Sequence, residues 1–160
     1  KTIVNDWARD SIADILFGWG EERYSRRIAD AIVSHREKKR IETSGELADI
    51  IKGAVPPPYR YGRLHPATRS FQALRIAVND ELGALRSGLK GAWKLLASRG
   101  RIAVITFHSI EDREVKELFR AWERAGEGTI LTRSVVKPGN VEVKDNPRSR
   151  SAKLRVIEKI

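Results

Sequence analysis

One segment restricts the fold of this chain more than any other. Arg101-Ile102-Ala103-Val104-Ile105-Thr106-Phe107 is a nearly continuous apolar run, and it leads at once into His108-Ser109-Ile110-Glu111-Asp112-Arg113. A strand with one wet face alternates apolar and polar side chains. An unbroken run predicts cover on both faces, the habit of parallel sheets sandwiched by helices. After Ser109 the spacing turns helical, with Val115, Leu118, Phe119 and Trp122 on one face and an end near Gly126. Open α/β sheets bind ligands beyond the carboxyl ends of their strands, and His108 and Ser109 stand there. His108 is suited to orient a substrate base or phosphate, and Arg113 to meet an anion. Ser109 with Asp112 reads equally as a capping box for the following helix.

Upstream of that strand the chain reads as helical. A short helix over 6–17 is broken by Gly18-Trp19-Gly20. A stronger one runs from Glu21 to His35, with Tyr24, Ile28, Ala31 and Ile32 as its apolar stripe and Arg23, Arg27, Asp30 and Ser34 opposite. Glu21 and Glu22 suit its positive end, and Arg36, Lys38, Lys39 and Arg40 its negative end. Thr43 and Glu46 form a capping box for a third helix, which buries Leu47, Ile50, Ile51 and Ala54 and stops at Pro56-Pro57-Pro58. The stretch from Pro56 to Leu64 reads as an extended linker and a domain boundary. Beyond Pro66 a long helical pattern resumes through Phe71, Leu74, Val78, Leu82, Leu85, Leu89, Ala92 and Leu96. A break is expected near Asn79-Asp80 or at Gly83, Gly88 and Gly91, because each glycine costs about 1 kcal/mol in a helix interior. After Gly126 the pattern predicts β structure: Thr129 to Val136, a turn at Lys137 to Asn140, Val141 to Val143, then Ala152 to Ile157. Helix, strand, helix, strand, strand is the closing portion of an open α/β sheet.

Composition bounds the function. The chain has 160 residues, no cysteine and no methionine, and a formal charge of +10. Disulfides, thiol chemistry and thiolate metal sites are excluded. No apolar run approaches the ~20 residues that span a bilayer, no signal peptide opens the chain, and the lack of cysteine fits a cytoplasmic protein. A chain that starts at Lys1 without methionine is expected to be a fragment or a processed chain. The charge is uneven, +2 over residues 1–64 and +8 over residues 65–160. Such an excess favours a polyanion such as nucleic acid, with a solvated basic surface as the alternative. No second histidine sits at a metal-ligand spacing from His108, so no metal site is expected.

Two further groups are candidates for binding. His65, Arg69, Gln72, Arg75 and Asn79 lie within one helical stretch, Arg69, Gln72 and Asn79 off its apolar stripe and Arg75 at its edge. They form either a polar binding surface or pairs with carboxylates such as Asp80 and Glu81. Arg148 and Arg150, within Asn146-Pro147-Arg148-Ser149-Arg150-Ser151, read as a phosphate-contacting loop or as a solvated basic one.

Four stretches resemble a known family: Gly20-Glu21-Glu22-Arg23-Tyr24-Ser25-Arg26-Arg27-Ile28-Ala29, then HPATRSFQALRIAVNDEL from His65, GRIAVITFHSIEDREVK from Gly100, and NPRSRSAKLR from Asn146. They are similar, in order and register from about Asn5 to the last residue, to the bacterial MraW/RsmH family. Those are S-adenosylmethionine-dependent methyltransferases that modify the exocyclic amine of a cytidine in small-subunit (16S) ribosomal RNA. The resemblance implies that residues 1–64 are a small all-α inserted, substrate-recognition domain with its linker. It implies that residues 65–160 are the closing portion of a Rossmann-like class I methyltransferase sheet. It also implies that the family's glycine-rich cofactor loop, acidic ribose-binding residue and Asp-Leu-Gly-type motif have no counterpart here. The chain alone is therefore expected to be inactive, with no cofactor-binding residue of its own, and its unflanked strand to invite self-association. His108, Ser109 and Asn79 would line the target-base side, basic loops would hold ribosomal RNA, and a sulfonium methyl needs no metal to react with an amine. A stand-alone nucleic-acid-binding module without catalysis is the alternative.

Overall fold

The computed structural model describes all 160 residues, which fall into two compact units, Lys1–Glu81 and Leu82–Ile160. The division lies beyond the Pro56–Leu64 stretch because the helix after that stretch packs onto the first unit.

The first unit is helical: α1 (Thr2–Asp6), α2 (Arg9–Gly20), α3 (Ser25–Arg36), α4 (Ser44–Ala54), α5 (Pro57–Arg60) and α6 (Thr68–Asn79). Its core joins Ile12 and Leu16 of α2, Ile28 and Ile32 of α3, Ile51 of α4 and Ala73 of α6, all fully buried. The α3 stripe and the Thr43–Glu46 capping box form as the sequence predicts. Gly18-Trp19-Gly20 does not break its helix. It forms the last turn of α2, which ends at Glu21 in the left-handed region (φ 49°). Gly20 is needed there for close approach: a Cβ would sit 2.7 Å from the Arg69 carbonyl oxygen on α6. Because Glu21 caps α2 and Glu22 turns inward, α3 starts at Ser25 rather than at Glu21. The expected extended linker holds a helical turn, α5, with proline at its first position, where a missing N–H costs nothing. On α6 the buried face is Ser70, Ala73 and Ile76, while Val78 of the expected stripe is 69% exposed. Small side chains at Ser70 and Ala73 let α6 lie close against its neighbour.

The chain breaks at Asp80 (φ 47°) as expected, and α7 (Glu81–Leu95) follows. The second unit continues with β1 (Arg101–Thr106), α8 (Ser109–Arg124), β2 (Gly128–Ile130), α9 (Asn140–Asp145), a 3₁₀ turn (Pro147–Ser151) and β3 (Lys153–Lys159). The sheet order is β1-β3-β2, with β3 antiparallel to both neighbours. β1 and β2 thus run parallel to each other, with α8 as the crossover between them. Trp93 of α7 stacks on Trp122 of α8 (centroids 4.2 Å, planes 6° apart), and with Val115, Phe119 and Ile157 they form the core. Ile102 and Val104 pack against this cluster.

Three expectations change here. β1 is not covered on both faces: its burial alternates, and it is the edge strand that the lack of flanking strands predicts. Side chains of α7 and α8 cover the face with Ile102 and Val104, while the face with the Ala103–Val156 and Ile105–Leu154 pairs is open, Ile105 being 60% exposed. The predicted strand Thr129–Val136 shortens to β2 plus a lone bridge from Val136 to Leu154. Thr132 ends it, because its hydroxyl accepts the Val156 N–H at 2.8 Å in place of a ladder partner. Val141 and Val143 lie in α9, not in a strand; Val141 is 75% exposed, so no apolar layer favours extended structure there.

Candidate functional site

In the second unit, β1 delivers the chain into α8 through His108. The helix is capped by His108 rather than by Ser109, since the imidazole Nδ1 accepts the Glu111 N–H at 3.2 Å. The neutral ring therefore carries its proton on Nε2, an assignment inferred from that bond. The Glu111 carboxylate returns to accept the Phe107 N–H at 3.2 Å, one residue before the cap, so the helix start is tied from both directions. His108 Nε2 lies 3.2 Å from Glu111 Oε1 as an ion-pair contact, and this buried atom has no hydrogen-bond partner. Chiefly through His108, and against its own burial, the Glu111 carboxyl is held below the usual carboxylate range.

Asp112 is not a cap. It takes a two-bond contact from Arg155 of β3, at 2.6 and 3.1 Å, with Lys153 Nζ 3.7 Å away. Burial pushes the Asp112 carboxyl up, and Arg155 followed by the lysines more than offsets this, so it lies below its ordinary value. The pair ties the start of α8 to the central strand. Ser109 is half-buried and Arg113 exposed, both with partners inside the protein. Arg148 and Arg150 are exposed on the 3₁₀ turn and make no hydrogen bond or ion pair, whereas Ser149 between them is buried and donates to the Asn146 carbonyl at 2.8 Å.

In the first unit, the polar residues around α6 separate into two kinds. His65 and Arg69 serve the local fold: His65 Nδ1 accepts the Ala67 N–H at 3.2 Å, and Arg69 donates to the Glu21 carbonyl at 3.0 Å. Gln72 reaches the Trp19 carbonyl at 3.4 Å. Arg75 and Asn79 converge on Glu81, Arg75 through bonds of 2.8 and 3.0 Å and Asn79 through one of 3.2 Å. They rim a cleft of about 390 Å³ whose floor includes Ile3, Leu47, Leu74 and Val78.

Sequence reading missed the buried carboxylate of this unit. Glu22 is fully buried, accepting the Tyr59 hydroxyl at 2.6 Å and the Tyr24 N–H at 2.9 Å. Arg23 lies over both the Tyr24 and Tyr59 rings, 4.9 and 4.8 Å from their centroids. Burial first, then Glu22, pushes the Tyr59 phenol up to about 12. Adjacent glutamates before a tyrosine look like a helix start, and nothing local distinguishes the one that turns inward.

Comparison with known proteins completes the description. The family model described as the MraW methylase family matches residues 1–160. Among curated relatives, the ribosomal RNA small subunit methyltransferase H of Persephonella marina is 49% identical over 158 residues, covering 99% of this chain and 54% of the relative. The protein of the same name from Synechococcus elongatus is 52% identical over 158 residues, covering 99% and 51%. That from Coprothermobacter proteolyticus is 51% identical over 157 residues, covering 98% and 52%. The chain thus spans about half the length of the curated relatives it matches.

Proposed function

The chain belongs to the MraW methylase family, and on that premise we propose that it is the RNA-facing, sheet-closing part of an S-adenosylmethionine-dependent methyltransferase acting on the exocyclic amine of a cytidine in small-subunit ribosomal RNA. The observation that carries this reading is a family match over the whole chain, joined by relatives about half identical that bear the name of a ribosomal RNA methyltransferase.

Residues 1–64 act as the helical inserted domain and 65–160 as the end of the Rossmann-like sheet. A strand order in which the antiparallel β3 separates the parallel β1 and β2 is compatible with that role. The residues present do not make a cofactor cradle. The turn after β1 has no glycine, and the N–H groups of Phe107 and Glu111 are already taken by the Glu111 carboxylate and the His108 ring. The main cofactor contacts therefore belong to the part of the relatives that this chain does not match. In the second unit, His108 and Ser109 at the end of β1 are the residues for contact with the target base; in the first unit, Asn79 with Arg75 at the apolar cleft are candidates for base contact in their own right. In the second unit Arg148 and Arg150, both unpaired, hold phosphates and Arg113 supports them; in the first unit Arg69 and His65 are further candidates for RNA contact. No helix is long and apolar enough to cross a membrane; the cytoplasm is the location that the proposed action on ribosomal RNA implies.

The test is methylation of small ribosomal subunits by the protein that contains this chain, using methyl-labelled S-adenosylmethionine. Nucleoside mass spectrometry should place the label on the exocyclic nitrogen of one cytidine. Label on a ring carbon or a ribose, or no transfer, would overturn the reading.

A further inference from the structure

A second basic surface in the first unit has no part in the reading above. The carboxyl end of α2 and the start of α3 enclose an open cleft of about 400 Å³, lined by Asp14, Phe17, Arg23, Tyr24, Arg26 and Arg27. All three arginines are exposed, and none makes a hydrogen bond or an ion pair. Some cations of the same unit are paired, Arg9 with Asp10 and Asp30, Lys39 with Glu46 and Arg40 with Asp6, while Lys38, Lys52 and Arg63 are single exposed cations away from this cleft. Arg26 and Arg27 also lie in the first turn of α3, where the helix field opposes cations, and no acidic residue there offsets them. Arg23 is engaged by the Tyr24 and Tyr59 rings, but no local partner accounts for Arg26 and Arg27 at that end.

The aromatic side chains give the cleft a second character. Phe17 is 67% exposed, so its ring is available to a ligand rather than used by the core. Arg23 is held in place by the Tyr24 and Tyr59 rings, and Tyr59 is fixed in turn by the buried Glu22. A guanidinium held over two rings, two unpaired ones and an open ring match the repeating chemistry of a single strand, phosphate on the cations and a base face on the ring. Duplex RNA offers no open base face, and an acidic peptide has no use for one.

We propose that this cleft binds a single-stranded segment of RNA, Arg26 and Arg27 meeting successive phosphates and Phe17 stacking on a base. The proposal rests on the reading of the chain as part of an RNA methyltransferase, and it adds a contact away from the methyl-accepting base.

The experiment is fluorescence anisotropy of the 160-residue chain with an unstructured 12-nucleotide RNA over a salt series. Replacing both arginines (Arg26→Ala with Arg27→Ala) should weaken binding and lower the slope of log affinity against log salt by about 1.4, at about 0.7 per phosphate on a single strand. Phe17→Ala should weaken binding roughly 5- to 100-fold and leave the slope unchanged. The Arg26→Lys, Arg27→Lys pair should keep the slope, and circular dichroism should show every variant folded. Unchanged affinity and slope in the alanine pair, no RNA binding by the parent chain, or equal binding of duplex RNA or polyglutamate would each overturn the proposal. None of these bears on which atom the complete enzyme methylates, so the two readings fail separately.

Discussion

Glu22 shows how one side chain fixes the entry to α3. A buried carboxylate is tolerated only when hydrogen bonds replace its water, and here the Tyr59 hydroxyl and the Tyr24 N–H do so. Tyr59→Phe removes the stronger donor while keeping the ring, and should cost about 1–3 kcal/mol, read as a lower urea midpoint. The pH dependence has a definite sign. The Tyr59 phenol is raised from 10.0 to about 12 on folding. Its contribution is therefore complete below pH ~10, the unfolded value, and is lost as the pH climbs through the folded value. The difference in midpoint between parent and variant should shrink between those limits; a constant difference would show that the hydroxyl is not the group involved. Nothing in the sequence announced this pair, because its members lie 37 residues apart and no spacing rule joins them.

At the scale of elements, the Asp112–Arg155 contact anchors α8 to β3. Asp112→Asn keeps the shape and removes the charge, leaving a half-buried arginine without its carboxylate, and should cost about 1–3 kcal/mol at neutral pH. Because folding lowers the Asp112 value, its stabilisation is present above about pH 3.9, the unfolded value, and disappears as pH falls through the folded one. A stability profile from pH 6 to 2 should be flatter in the variant; parallel profiles would assign acid sensitivity to other carboxylates. Local signals predicted elements well where the cause was local. The Thr43–Glu46 box, the α3 stripe and the break at Asp80 follow from side chains a few residues apart. What was not legible depends on distant partners. The α6 face was misjudged because close packing selects small Ser70 and Ala73 over the larger Val78. The cap of α8 moved from Ser109 to His108 because an imidazole nitrogen can do a hydroxyl's work, which the usual cap residues conceal. The segment over Val141–Val143 became α9 because β propensity without a partner strand decides little.

At the scale of the molecule, the apolar run that forms β1 is richer than its place in this sheet requires. One face and one edge are open, with Ile105 and Phe107 60% and 54% exposed. Such an edge favours strand addition, so the isolated chain should associate with itself in sedimentation velocity as concentration rises, and Ile105→Lys should reduce that association; a monomer at all concentrations would show the edge to be adequately protected. The methyltransferase reading explains the open edge, since a sheet continued by further strands would pair it. Its central claim is that recognition and sheet closure reside in this chain while the cofactor crevice does not. Calorimetric titration of the 160-residue chain with S-adenosylmethionine tests this most directly: no measurable heat of binding is the predicted result, and saturable binding at micromolar cofactor would contradict it.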